Sequence, residues 1–107
     1  MLCLSGAKPR SMAEYRLSPR AQRDLDGVFD HTVARWGLPQ AMRYTDLIEA
    51  AYADLAEAPQ QAQGCANIRP SYRRRGVDQH VIYFRPTSYG IAVIRILHQR
   101  MDAARHL

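Results

Sequence analysis

The spacing of apolar residues changes period along the chain, and each change marks an element boundary. EYRLS, residues 14–18, alternates polar and apolar positions over a short span and predicts a first strand with Tyr15 and Leu17 inward. Ser18 and Pro19 then supply a helix start: a side-chain oxygen for the free amides, followed by a proline whose missing N–H costs nothing in a first turn. Beyond them Ala21, Leu25, Val28, Phe29, Thr32, Val33 and Trp36 recur at spacings of three and four, so one helix face is apolar and Trp36 reads as core. Gly37 is placed to close that helix, because glycine tolerates the left-handed conformation of a C-terminal cap. A second helix is expected from around Pro39, with a stripe of Tyr44, Leu47, Ile48, Ala51, Tyr52 and Leu55 that runs until Pro59 forbids continuation. Tyr44 and Tyr52 are expected to pack between the helices with their hydroxyls at the rim.

The second half changes to strand-like runs after a polar loop at residues 60–66. The runs cover about 68–77, 80–85 and 91–98, and PTSYG at 86–90 supplies the last turn. The final run is apolar on both faces, the pattern of a central, covered strand. The order is β-α-α-β-β-β, an α+β fold in which an antiparallel sheet carries a helical hairpin on one face. Regular patterning begins only at Met12, which predicts a disordered extension over residues 1–11 and a single domain over 12–107.

Length permits one core and little more. No run approaches the roughly 18 apolar residues of a membrane span, and the opening MLCLSGAKPRSM is too short in apolar residues for a secretory signal, so the expectation is a cytoplasmic chain without a membrane role. Cys3 and Cys65 lack any metal-binding spacing and are expected as free thiols, with no metal and no cofactor.

Charge changes the picture more than composition does. Residues 12–59 hold eight acidic side chains against five arginines, a net −3, whereas residues 60–107 hold eight arginines against two aspartates, a net +6. Fourteen of the fifteen basic residues are arginine, the side chain suited to bidentate contact with carboxylate or phosphate. Strand alternation places Arg69, Ser71, Arg73 and Arg75 on one side of the sheet and Pro70, Tyr72 and Arg74 on the other. On the last strand Arg95 falls with Ile91, Val93 and Leu97, and His98 with Ile94 and Ile96. Unpaired buried charge is costly, so Arg95 must pair internally, with an aspartate of a helix for example, or face a groove. Arg73, Arg74 and Arg75 fit a solvated strand that resists edge pairing as readily as a contact surface. His98 fits a hydrogen-bonded packing role at a sheet end or an acid–base role.

The segments YRLSPRAQRDLDGVFDHTVARWG, IRPSYRRR with HVIYFR, and VIRILHQRMD resemble, in that order, the ParE branch of the ParE/RelE superfamily of small bacterial toxins. The resemblance covers residues 12–107 and implies the fold reached above from periodicity. It also implies a type II toxin–antitoxin system of the kind associated with plasmid stabilisation. Its partner would be a ParD-like antitoxin with a DNA-binding N-terminal part and an acidic, amphipathic C-terminal segment that folds on binding.

Two activities are implied by the superfamily. RelE-like members cleave messenger RNA at the ribosome, which requires a base, an acid and cations against the growing phosphorane charge. Arg69, Arg73 and Arg95 could supply cations here, and His98 or Tyr83 a proton. The base is the weak point of this reading: no lysine or glutamate follows Glu57, and HQRMDAARHL stands where the nuclease branch has a terminal Tyr or His-Tyr. ParE-like members resemble inhibitors of DNA gyrase that act by protein binding, and the C-terminal end matches these better. On this reading the chain is no enzyme and binds no nucleic acid specifically. Target contacts are expected at Arg73, Arg74, Arg75, Arg95, His98 and Arg100, and antitoxin contacts at Arg73, Arg75, Tyr83 and Arg85. A degenerate toxin that only binds its antitoxin is a third reading.

Overall fold

The computed structural model describes residues 13–65 and 68–107; the expected extension over 1–11 and Cys3 lie outside the described residues. The elements are β1 (Glu14–Leu17), α1 (Pro19–Trp36), α2 (Leu38–Glu57), a 3-10 turn (Pro59–Gln61), β2 (Gln63–Gly64), β3 (Arg73–Val77), β4 (His80–Thr87), β5 (Gly90–His98) and α3 (Ala103–His106). Local chemistry sets the helix ends as expected. Ser18 is extended at φ −64° and ψ 160°, and its Oγ accepts from the Ala21 N–H at 3.0 Å. Gly37, at φ 92°, is the whole connection between α1 and α2, and its N–H closes α1 on the Val33 carbonyl at 2.9 Å.

The strands form one sheet in the order β1-β5-β4-β3-β2. It is mixed rather than wholly antiparallel, because β1 runs parallel to β5 from Glu14 opposite Gly90 to Leu17 opposite Val93. Alternation within one short strand carries no information about the direction of a partner so distant in the chain. Gly90 makes that pairing possible: its φ is 142°, and a Cβ there would run into the Glu14 backbone.

The strand expected over 68–77 is shorter. Residues 68–72 fold as turns, with the Ile68 and Arg69 amides on the Cys65 carbonyl at 2.9 and 3.1 Å, and only Arg73–Val77 pairs with β4. Pro70 lacks the amide that a ladder would need. Arg69 and Ser71 therefore belong to no sheet face.

A bulge in β5 changes the side of every residue after it. Tyr83 lies opposite Arg95 but Phe84 lies opposite Val93, so Ile94 is an extra residue on β5. Ile91, Val93, Ile82, Phe84 and Ile96 pack with Leu25, Ile48, Tyr52 and Leu55 of the helices in the main core. Arg95 and Leu97 turn to the opposite face, so the expectation that Arg95 shares a side with Ile91 and Val93 is corrected. That opposite face is not an open arginine surface. Cys65, Tyr83, Leu97 and Ala103 form a second, smaller core beneath the C-terminal turn, with Ile68, Tyr72, Val81 and Leu107 packed against it.

Three residues read as inward lie outside. Trp36 is 69% exposed, Leu47 52% and Tyr15 40%. Trp36 and Leu47 occupy the flanks of their apolar stripes, which a pair of helices on one sheet face cannot cover completely. Tyr15 stands on an edge strand and rests on the Tyr52 ring at 5.1 Å between centroids. The Tyr52 hydroxyl is not at a rim: it is buried without a hydrogen-bond partner among the described residues, and burial pushes its pKa up.

Candidate functional site

Where β1 ends, the edge of β5 is open, and α1 closes it. The Ser18 amide donates to the Val93 carbonyl at 2.9 Å and the Ser18 hydroxyl to the Ile94 carbonyl at 2.8 Å. One turn later the Asp24 carboxylate accepts from the Ile96 N–H at 3.0 Å and from Arg95 through Nε at 2.7 Å and Nη2 at 3.0 Å. Arg95 thus pairs with an aspartate of a helix, as its apolar surroundings require. The Asp24 bonds hold the guanidinium pKa up. Its Nη1 donates onward to the His106 carbonyl at 3.2 Å, and Arg69 Nη2 donates to the Leu107 oxygen at 2.9 Å, so two arginines fasten the C-terminal turn over the second core.

The arginine triplet divides between faces. Arg73 and Arg75 lie opposite Phe84 and Ile82, on the helix side, whereas Arg74 lies opposite Tyr83 on the other. Arg73 spends Nη1 on the Ala62 carbonyl at 2.8 Å, bracing the loop before β2. Arg75 stands exposed in a cleft of about 420 Å³ beside Asp54, Glu57 and Ala58 of the α2 end. Arg85 lies opposite Ala92 on the Arg74 side and is exposed. Tyr83 is only 5% exposed and belongs to the second core. Arg100 is exposed just beyond β5.

His98 sits at the far end of the sheet, opposite His80 and in edge-to-face contact with it at 5.4 Å. Its Nδ1 accepts from the Arg100 N–H at 3.1 Å, so that nitrogen carries no proton in this arrangement. His80 Nδ1 meets the Tyr44 hydroxyl at 2.7 Å, and Tyr44 in turn donates to the Val77 carbonyl at 3.1 Å. Tyr44 has one proton to give, so His80 is the donor of this pair. Burial first, then the neighbouring His98, lowers the His80 pKa; burial likewise raises that of Tyr44. No cue in the sequence joined Tyr44 to His80, because their contact depends on how α2 docks against the turn between β3 and β4.

Arg69, Arg73, Arg95 and His98 therefore do not converge. Arg69 is in a turn, Arg73 on the helix side at one edge, Arg95 on the opposite face, and His98 at the sheet end among histidines. Among the described residues no group of three or more His, Cys, Asp or Glu side chains is placed to hold a metal ion, and no helix is long and apolar enough to cross a membrane. Cys65 is free and buried, and burial pushes its thiol pKa up despite Arg74 and Arg73 nearby.

In the solved structures this chain's fold is similar to that of a chain described as "Chromosomal ParDE TA system from P. aeruginosa", with a TM-score of 0.70 at 23% identity, covering 82% of this chain and 97% of that one. In sequence it is 41% identical over 96 residues to "Toxin ParE1" of Mycobacterium tuberculosis, covering 89% of this chain and 98% of that relative. "Toxin ParE1" of Caulobacter vibrioides is 40% identical over 96 residues, with 90% and 99% covered. Residues 15–103 match the family described as "ParE toxin of type II toxin-antitoxin system, parDE". A family match over most of the chain, with relatives matched along nearly their whole length, places this protein in the ParE toxin family of type II toxin–antitoxin systems.

Proposed function

We propose that this ParE-family toxin inhibits DNA gyrase by binding it rather than by cutting RNA, and that a cognate ParD-like antitoxin neutralises it. The dispersal of the nuclease candidates carries the reading. Phosphoryl chemistry needs a base, an acid and cations within hydrogen-bond reach of one phosphate. Here Arg95 is spent on Asp24 and the His106 carbonyl, Arg73 on the Ala62 carbonyl, Arg69 on the Leu107 oxygen, and His98 Nδ1 on a backbone amide. These groups build the fold, and the arginines left over, Arg75, Arg85 and Arg100 exposed and Arg74 half-buried, suit a charged protein surface.

Antitoxin binding is the function expected to mask that surface. The net +6 of residues 60–107 favours an acidic partner segment and fast, salt-sensitive association. Induction of the toxin alone in bacteria tests the target. A gyrase inhibitor produces filamentous cells and a DNA-damage response while pulse-labelled protein synthesis continues; translation arrest within minutes over intact DNA would replace this reading with the ribonuclease.

A further inference from the structure

A cleft of about 460 Å³ opens where the start of α1, the Ile94 bulge and the C-terminal turn meet. Its size is that of a site for a small organic group or a side chain or two. Pro19, Tyr72, Ile94 and Leu107 present apolar surface to it, and Arg20 and Arg23 stand at its side from successive turns of α1.

Among the described residues no ion pair takes up the charge of these two arginines. Arg95, which also lines the cleft, is neutralised by the bidentate Asp24 contact. That contact, together with the Ile96 N–H, occupies the Asp24 carboxylate. Among the described residues neither Arg20 nor Arg23 has an ion pair or side-chain hydrogen bond, and both are exposed. Two free guanidinium groups beside a half-buried apolar floor complement a ligand that is apolar at its centre and anionic at its rim.

We propose that this cleft binds an acidic protein segment, with one bulky apolar side chain on the Tyr72–Ile94–Leu107 floor and a neighbouring carboxylate between Arg20 and Arg23. A protein segment is favoured over a phosphate ligand because most of the lining is apolar. The cleft lies at the β1–β5 edge, across the sheet from the cleft beside Arg75 at the α2–β3 edge. A segment seated here would leave the opposite edge free for a second contact. The inference stands apart from the choice of toxin target, since it concerns binding alone.

The test uses the full chain, isotopically labelled, titrated by NMR with a short acetylated peptide holding a Leu-Phe pair between aspartates. Saturable shifts at Tyr72, Ile94 and Leu107 are expected, with affinity reduced at least about tenfold in the Arg20→Gln/Arg23→Gln double variant, since contacts to charged groups contribute on that scale. Arg75→Gln, on the other edge, should leave the affinity unchanged. Absence of saturable shifts, shifts confined to the Arg75 side, or equal binding by a peptide with lysines in place of the aspartates would each overturn the proposal. So would displacement of the peptide by ADP or inorganic phosphate at lower concentration than by unlabelled peptide, which would make the site one for phosphate.

Discussion

Asp24 and Arg95 stand on different elements, yet they form one unit: the carboxylate takes Arg95 Nε at 2.7 Å while closing the backbone edge of β5 at Ile96. Both side chains are only 16% exposed, so each would be stranded if the other were removed. Arg95→Ala leaves Asp24 with a single backbone donor and also frees the His106 carbonyl. The expected loss is about 3 kcal/mol, at the lower end for a buried pair because some solvent reaches it. Asp24→Asn, which keeps an acceptor for Ile96, should cost less. Urea denaturation of the two variants gives the comparison, and equal losses would mean that a neutral amide oxygen at position 24 gives Arg95 no effective partner.

The burial of His80 beside His98 makes stability depend on pH. The folded-state pKa of His80 lies below its ordinary 6.5, through burial and then through His98, with Asp78 acting in the opposite sense and His31 adding to the lowering. A base with a lowered folded pKa is protonated more readily when unfolded. Stability is therefore unaffected by this group above about pH 7 and falls as pH drops from 6.5 towards the folded value. Thermal melts from pH 7.5 to 5 should show that fall, and His80→Gln should flatten the part of it due to this residue. An unchanged slope in the variant would assign the dependence elsewhere.

Two glycines should respond in opposite ways to alanine. Gly90→Ala forces a Cβ against the Glu14 backbone at a φ of 142°, and the parallel β1–β5 pairing must open to admit it. A loss above about 3 kcal/mol, or failure to fold, is expected. A Cβ at Gly76 meets nothing within 4 Å, and its φ is not in the left-handed region. Gly76→Ala should be neutral or stabilise by about 0.5 kcal/mol, because alanine loses less backbone freedom in a strand. Chemical denaturation midpoints settle both.

His98→Gln separates binding from catalysis. Glutamine offers an oxygen to accept from the Arg100 amide, as His98 Nδ1 does at 3.1 Å, but it cannot shuttle a proton. The variant should remain toxic when induced and should still form the antitoxin complex. A ribonuclease that relied on His98 would lose about 10²–10⁴-fold in rate on the same substitution. Loss of toxicity in a folded, antitoxin-binding variant would overturn the binding mechanism.

The helical hairpin was legible in the residues themselves because its determinants are local. Ser18 and Pro19 start α1, Gly37 at positive φ turns the chain, and Pro59 follows the end of α2. These effects act within a turn or two of backbone and need no distant partner. The pairing of Arg95 with a helical aspartate was also legible in kind, because a charge in so apolar a strand has few places to go. Which aspartate it meets was not, since Asp24 comes into reach only where β1 stops short and α1 crosses the open edge of β5.

Tertiary packing alone decided the sides. Perfect alternation placed Arg95 with Ile91 and Val93, but the extra residue Ile94 reversed it, and nothing in an apolar run marks where a ladder will slip by one. Alternation had already divided Arg73 and Arg75 from Arg74, but the direction of β1, the choice of the Arg73 and Arg75 side as the one the helices cover, and the exposure of Trp36 follow from the docking of whole elements. Periodicity states which residues share a face; what covers that face is a property of surfaces brought together from distant parts of the chain.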